Sequence, residues 1–177
     1  MGIQIGAKPD SGFDDPIGML IDCHRRIERF LEILLKVADR AHGRALTGEE
    51  IAAVQSALQY FRTGGRRHTA DEEESLFPRL RTESHAKNFE EVRGLESDHR
   101  NANNLHEVVD ALYSVWIRCG FLDPNDEQRL KSGTEKLNHL YKEHIQVEEK
   151  VVFPRAGEML DSRTIATIGL EFHARRK

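Results

Sequence analysis

Two repeated motifs contain the residues of this chain that are best suited to chemistry. Residues 68–79 align without gaps on residues 144–155, and each segment begins with His-x3-Glu and ends with Phe-Pro-Arg. A single histidine precedes each motif, because His24-Arg recurs 75 positions later as His99-Arg. The chain therefore carries two copies of one pattern. Imidazole and carboxylate groups without thiolate suit iron, manganese or zinc, and two carboxylates could bridge a pair of ions. The six candidate metal ligands are His24, His68, Glu72, His99, His144 and Glu148.

The spacing of the apolar residues predicts long helices that would carry these side chains. A stripe of apolar residues begins at Pro16, and Thr47 with Glu50 forms a capping box that opens a second helix. No segment alternates with a period of two for long enough to form a strand. The predicted helices run from Pro16 to a stop at Gly43, from Thr47 to about Arg81, from about Asn88 to Arg118, from Pro124 to about Gly157 and from Ser162 to Ala174.

This helix order predicts an all-α fold, an up-down-up-down four-helix bundle with a short C-terminal helix. The 177 residues suit one domain, with 1–15 as an N-terminal extension, 16–157 as the bundle and 158–177 as the C-terminal helix and tail. Val108 and Val109 are both expected to face the core. Cys23 and Cys119 lie in no CxxC motif, lie too far apart to pair, and are expected to be small buried hydrophobes.

Charge and hydropathy exclude several classes of partner. The formal net charge is −4 and no basic stripe is present, so we expect no nucleic-acid binding. No apolar run approaches 18 residues and the first 15 residues have no hydrophobic centre, which predicts a cytoplasmic protein without membrane association.

The candidate ligands are expected to meet inside the bundle. Each of the four histidines lies 19 to 21 residues from the turn at the end of its helix, which is roughly 30 Å at the helical rise. In an antiparallel bundle all four therefore stand at one level. Glu72 and Glu148 follow their histidines by one turn on the same face. Such a buried polar cluster without a metal would be costly, so we expect two metal ions bridged by Glu72 and Glu148. His24 would share an ion with His68 or with His144.

With these motifs, each followed by Phe-Pro, the chain resembles the hemerythrin-like family over residues 16–157. The resemblance implies a non-haem di-iron centre with an oxo or hydroxo bridge, in which zinc or manganese could replace iron in vitro. Asn103 stands where oxygen-carrying hemerythrins have an additional histidine, and their fourth-helix motif is His-x4-Asp instead of His144-x3-Glu148. In its ligand set the chain is more similar to the di-iron domain of iron–sulfur-cluster repair proteins.

The resemblance implies a protein that binds or reacts with O2, hydrogen peroxide or nitric oxide. The expected roles are protection from oxidative or nitrosative stress, sensing, or iron–sulfur repair, with a separate electron donor. Because each metal would keep an open position, an oxidase or peroxide-consuming activity is favoured. The alternative is a non-enzymatic module that binds O2 reversibly or stores iron.

Other polar residues near the motifs are not expected to bind the metals. Glu28 lies on a helix that needs no bridging carboxylate, His139 is about 140° around the helix from His144, and His106 is about 10 Å from His99. Tyr60 and Tyr141 are predicted to be core residues, the alternative being hydrogen-bond donors above the site. Glu73, Glu74 and Glu149 are expected either to be solvated or to contact the ligands, and His42, His85 and His173 to lie on the surface.

Overall fold

The computed structural model describes residues 10–83 and 90–177, and within them it contains five helices and no strand. Helix α1 spans Pro16–Ala41, α3 spans Glu90–Cys119 and α5 spans Ser162–Ala174. Helix α2 covers 48–83 and α4 covers 124–159. The predicted all-α class is confirmed. The predicted start of the third helix near Asn88 and the predicted surface position of His85 lie outside the described residues.

Helices α2 and α4 are not α-helical throughout. In α2 the α-helical stretches Gly48–Tyr60, Arg66–Asp71 and Phe77–Glu83 are joined by the π-helical turns Phe61–Gly65 and Glu72–Leu76. In α4, Pro124–Val147 and Phe153–Met159 are joined by the π-helical turn Glu148–Val152. Two of these three π turns therefore begin on the repeated glutamates.

The helix starts follow the local signals of the sequence. Asp15 caps α1 by accepting a hydrogen bond from the Gly18 amide, with Pro16 at the first helical position. The capping box of Thr47 and Glu50 is present at the start of α2. Asp123 caps α4 by accepting from two backbone amides.

The α1–α2 and α3–α4 turns lie together at one end of the bundle. The Leu122 amide donates to the Gly43 carbonyl at 2.9 Å, and the indole of Trp116 donates to the Arg44 carbonyl at 2.8 Å. Gly43 has a φ of 71°, and a Cβ there would lie 2.6 Å from the Leu122 carbonyl oxygen, so only glycine fits. Because both turns share one end, equal distances along the helices place side chains at equal heights.

The buried apolar residues form two clusters, one on either side of the level of the repeated histidines. The larger cluster, around Leu34, Tyr113 and Trp116, fills the end near the turns. The smaller cluster, around Leu80 and Phe172, fills the opposite end and includes residues of α5. A polar layer therefore separates two apolar cores.

Helix α5 covers the end of the bundle that is remote from the turns. The carboxylate of the fully buried Asp71 accepts from Arg175 at 2.9 Å and from Arg176 at 2.6 Å. Gly169 packs so closely on the backbone of Phe13 that a Cβ would overlap its carbonyl oxygen. These contacts fix α5 to α2 and to the segment before α1.

Two expectations about α3 are wrong. Val108 is 40% exposed, because adjacent residues of a helix are about 100° apart and Val109 takes the inward position. Cys119 is exposed because it is the last residue of α3, beside the turn, whereas Cys23 is buried as predicted. None of the described helices is both long and apolar enough to cross a lipid bilayer.

Candidate metal centre

All six candidate ligands meet in the polar layer between the two apolar cores. Each of these side chains is at most 4% exposed. They form two groups of four, each with ligand atoms within 4.8 Å of one another. Position A combines His24 and His68 with both glutamates, and position B combines His99 and His144 with the same glutamates. The geometry thus pairs His24 with His68, a choice that the sequence left open against His144.

The four carboxylate oxygens are divided evenly between the two positions. Glu72 places Oε1 at 3.3 Å from Nε2 of His68 and Oε2 at 3.3 Å from Nε2 of His99. Glu148 places Oε2 at 3.0 Å from Nε2 of His24 and Oε1 at 3.2 Å from Nε2 of His144. Each carboxylate therefore spans both positions, as a ligand that bridges two ions must.

Carboxylates outside the centre orient three of the four imidazole rings. Nδ1 of His24 lies 2.9 Å from Glu149, and Nδ1 of His99 lies 2.8 Å from Glu73. A ring that donates from Nδ1 to a carboxylate directs Nε2 to the centre, the usual arrangement around metal-bound histidine. Glu73 and Glu149 thus contact the candidate ligands, one of the two alternatives considered from the sequence.

The third orienting carboxylate, Asp98, is not predicted from the sequence. Nδ1 of His144 lies 3.4 Å from Oδ2 of Asp98. Asp98 immediately precedes His99 in the chain but serves the histidine of another helix. Comparison of the two repeats gives no signal for it, because the equivalent position is Cys23.

The atoms that face the centre find no hydrogen-bond partner in the part of the chain that the structure describes. There, both oxygens of Glu72 and of Glu148 are buried without a hydrogen bond, as is Nε2 of His24, His99 and His144. The nitrogen–oxygen distances are short, but the directions required for hydrogen bonds are not met. A buried polar group left in this state costs about 1–3 kcal/mol. Lone pairs that converge from six side chains fit a pair of cations, so the residues present suit a metal centre.

Burial and the neighbouring charges shift the pKa values of the two glutamates in opposite directions. Burial, together with the nearby charge of Glu148, raises the pKa of Glu72 well above its usual value. Burial alone would also raise the pKa of Glu148, but the charge of the adjacent His144 outweighs it and lowers that pKa well below its usual value. Burial opposes the charge on His144, yet Glu148 raises the His144 pKa to about 10. The metal-free cluster therefore binds protons, which metal cations would displace.

The π turns explain the Phe-Pro that follows each glutamate. The amide of Phe77 donates to the carbonyl of Glu72, five residues back, and that of Phe153 donates to Glu148 in the same way. The next residue is proline in both copies, which has no amide hydrogen to donate. The change of register therefore takes place where the chain already lacks a donor, and π turns occur often at functional sites.

Comparison with known proteins identifies the family. The family model described as the hemerythrin HHE cation binding domain matches residues 15–156. The chain belongs to the hemerythrin HHE family. An uncharacterized protein of Haemophilus influenzae is 29% identical to this HHE protein over 168 residues, which cover 93% of this chain and 92% of the relative.

Several nearby residues of this HHE protein lie outside the two groups. Glu28 is 43% exposed and pairs with Arg25, while His139 is 75% exposed. The hydroxyl of Tyr60 donates to the Cys23 carbonyl at 3.2 Å. These positions agree with their exclusion from the candidate ligands.

A cavity of about 720 Å³ lies beside the centre of the HHE domain, between α2 and α3. Thr69, Asn103 and Tyr141 line it, and each lies within about one turn of a candidate ligand. Tyr141 is buried, its ring centroid is 6.3 Å from that of His144, and its hydroxyl lies 3.1 Å from Nε2 of His106. Tyr141 is a core residue, as predicted, and it also lines this cavity and lies next to His144.

Proposed function

We propose that this protein is a non-haem di-iron protein that reacts with a small oxidant or with nitric oxide. His24 and His68 bind one iron, His99 and His144 bind the other, and Glu72 and Glu148 bridge them. The observation that carries the proposal is the even division of four buried carboxylate oxygens between two pairs of histidines. A mononuclear centre would not need both oxygens of both glutamates.

The donor set favours iron. Nitrogen and oxygen donors without sulfur suit iron, manganese or zinc, and carboxylate bridges in a helical bundle are typical of di-iron centres. Four protein atoms at each position leave room for a further ligand on each metal. Bound iron would supply the electrons and the open coordination positions for O2, hydrogen peroxide or nitric oxide, with a separate protein or small molecule as the electron donor.

The residues of the cavity support entry of a small molecule. The mouth between α2 and α3 carries Arg62 and Arg66, which are exposed, whereas the buried Tyr141 closes the inner end. Burial lowers the pKa of His106 to about 4, so His106 is neutral at physiological pH and can accept a hydrogen bond from Tyr141. This pair keeps the inner end of the cavity uncharged, which suits neutral diatomic molecules and peroxide.

Metal analysis of protein expressed with ample iron tests the centre. We expect about two irons per chain, as in other carboxylate-bridged helical bundles. Glu72→Ala and Glu148→Ala should lose the di-iron spectrum, whereas the matched variants Glu28→Ala and His139→Ala should keep it. A single zinc per chain, or di-iron spectra in both bridge variants, would contradict the assignment.

Oxygen cycling separates reaction from reversible binding. Because Asn103 lines the cavity where an oxygen carrier has an additional histidine, both irons should remain open to reaction. Protein reduced without oxygen should oxidise irreversibly when O2 is admitted, and it should consume added hydrogen peroxide. Repeated return to the ferrous spectrum under vacuum would show that the protein is a carrier or a store.

A further inference from the structure

The two halves of the centre have the same candidate ligands but different surroundings. The repeat relates His24 to His99 and His68 to His144, so each ligand of position A has a counterpart at position B. The carboxylates that contact the outer ring nitrogens do not follow this symmetry. Differences between the positions must therefore come from these outer contacts.

At position B both outer ring nitrogens face a carboxylate. His99 contacts Glu73 at 2.8 Å and His144 contacts Asp98 at 3.4 Å. Among the described residues, no arginine or lysine forms an ion pair with Glu73 or Asp98. Position B therefore has two outer carboxylates that form no ion pair with a described arginine or lysine.

At position A only one outer ring nitrogen has such a partner, and its charge is compensated. Glu149 contacts His24 at 2.9 Å but also accepts two hydrogen bonds from Arg25, at 2.8 and 2.7 Å. Nδ1 of His68 is buried and finds no hydrogen-bond partner within 10–83 and 90–177. The residue that the repeat places opposite it, where position B has Asp98, is the buried Cys23.

We infer that position B binds its metal ion more tightly than position A, and that the Cys23/Asp98 difference between the repeats sets this order. The inference rests on the metal binding proposed above. A carboxylate at the outer nitrogen of a histidine orients the ring and makes it a better donor, and loss of such a partner typically costs 10–100-fold in metal affinity. A cation is also attracted more strongly to the more negative surroundings of position B. Partly loaded protein should therefore hold one ion, bound by His99 and His144.

Zinc titration of the whole chain against a chelating indicator tests this order, since zinc undergoes no redox change. Wild-type protein should bind two zinc ions in two steps whose dissociation constants differ by about 10–100-fold. Crystals grown with one equivalent of zinc should show anomalous scattering mainly at position B. Equal occupancy, or a preference for position A, would overturn the inference.

Two variants distinguish this cause from simple repulsion between the two ions. Both variants keep all six candidate ligands. Asp98→Cys should weaken the first step about tenfold and bring the two steps together. Cys23→Asn, which offers a neutral acceptor to His68, should tighten the second step. Repulsion alone would also give two steps, but their ratio would then not change in Asp98→Cys, and that result would overturn the inference.

A control variant tests whether the loss of one negative charge near the centre would by itself explain the effect of Asp98→Cys. Glu143→Gln removes a carboxylate next to His144 that is 71% exposed and, among residues 10–83 and 90–177, pairs only with the surface residue His139. It should leave both steps unchanged, and weakening as large as in Asp98→Cys would overturn the inference. Absence of zinc binding in the wild-type protein would overturn both this inference and the proposed function, whereas two ions of equal affinity would overturn this inference alone.

Discussion

Two adjacent buried carboxylates, Asp71 and Glu72, should respond to amide substitution with opposite signs in the metal-free protein. Both side chains are fully buried. Asp71 accepts hydrogen bonds from Arg175 and Arg176, whereas neither oxygen of Glu72 has a hydrogen bond from any described residue. Glu72→Gln replaces a carboxyl group whose ionisation is disfavoured by burial. It places an amide donor where the carboxylate oxygens now lie 3.3 Å from Nε2 of His68 and of His99. Asp71→Asn leaves two arginines without their acceptor.

The expected changes in the free energy of unfolding depend on whether each buried carboxyl group has hydrogen-bond partners. Satisfying a buried unpaired acceptor contributes about 1–3 kcal/mol, so Glu72→Gln should stabilise the metal-free protein by that amount. For a chain of this size this corresponds to a melting temperature about 2–4 °C higher per kcal/mol. Asp71→Asn should destabilise by about 2–3 kcal/mol, below the range for fully buried pairs because both arginines are partly exposed.

Urea unfolding followed by circular dichroism, with chelator and then with excess metal, measures both effects. Two ions at 100 times their dissociation constants should stabilise the wild-type protein by about 5 kcal/mol, and Glu72→Gln should lose at least half of this gain. Asp71→Asn should cost the same with and without metal. If Glu72→Gln destabilised the metal-free protein as much as Asp71→Asn does, the centre would not be a set of unsatisfied acceptors.

Three further experiments test other parts of the structure. The partly buried His106, with a pKa of about 4 against 6.5 when unfolded, binds its proton more weakly in the folded state. Stability should therefore fall by about 3 kcal/mol as the pH drops from 6.5 to 4, and His106→Gln should lack this part of the pH dependence of urea unfolding. Gly169→Ala should lower the melting temperature through overlap with a neighbouring backbone, whereas Gly157→Ala, with open space around its Cβ, should raise it slightly. A thiol reagent should label Cys119 in the native protein within minutes and leave Cys23 unlabelled until the protein unfolds.

The sequence predicts the class of fold and the meeting of the six side chains because both depend on spacing along regular helices. It does not predict which histidines share a position, because the repeat is compatible with His24 beside either His68 or His144. Nor does it predict the contact of Asp98, which depends on how two helices face each other. The π turns are not predicted because the spacing of apolar residues does not depend on the register of the backbone hydrogen bonds. The Phe-Pro pairs do mark the ends of two of the three turns, those that begin on Glu72 and Glu148.

The crossing of each glutamate into the other half of the molecule has a consequence for the order in which the chain folds. His24 and Glu148 are 124 positions apart, yet their side chains lie 3.0 Å from each other. A metal ion held between them closes a very long loop, and closing such a loop removes much of the entropy of an unfolded chain. The first helical hairpin offers only three of the six side chains, so a chain emerging during synthesis cannot complete either position before residue 148 has appeared. Metal uptake should therefore be a late event, after the two hairpins have met.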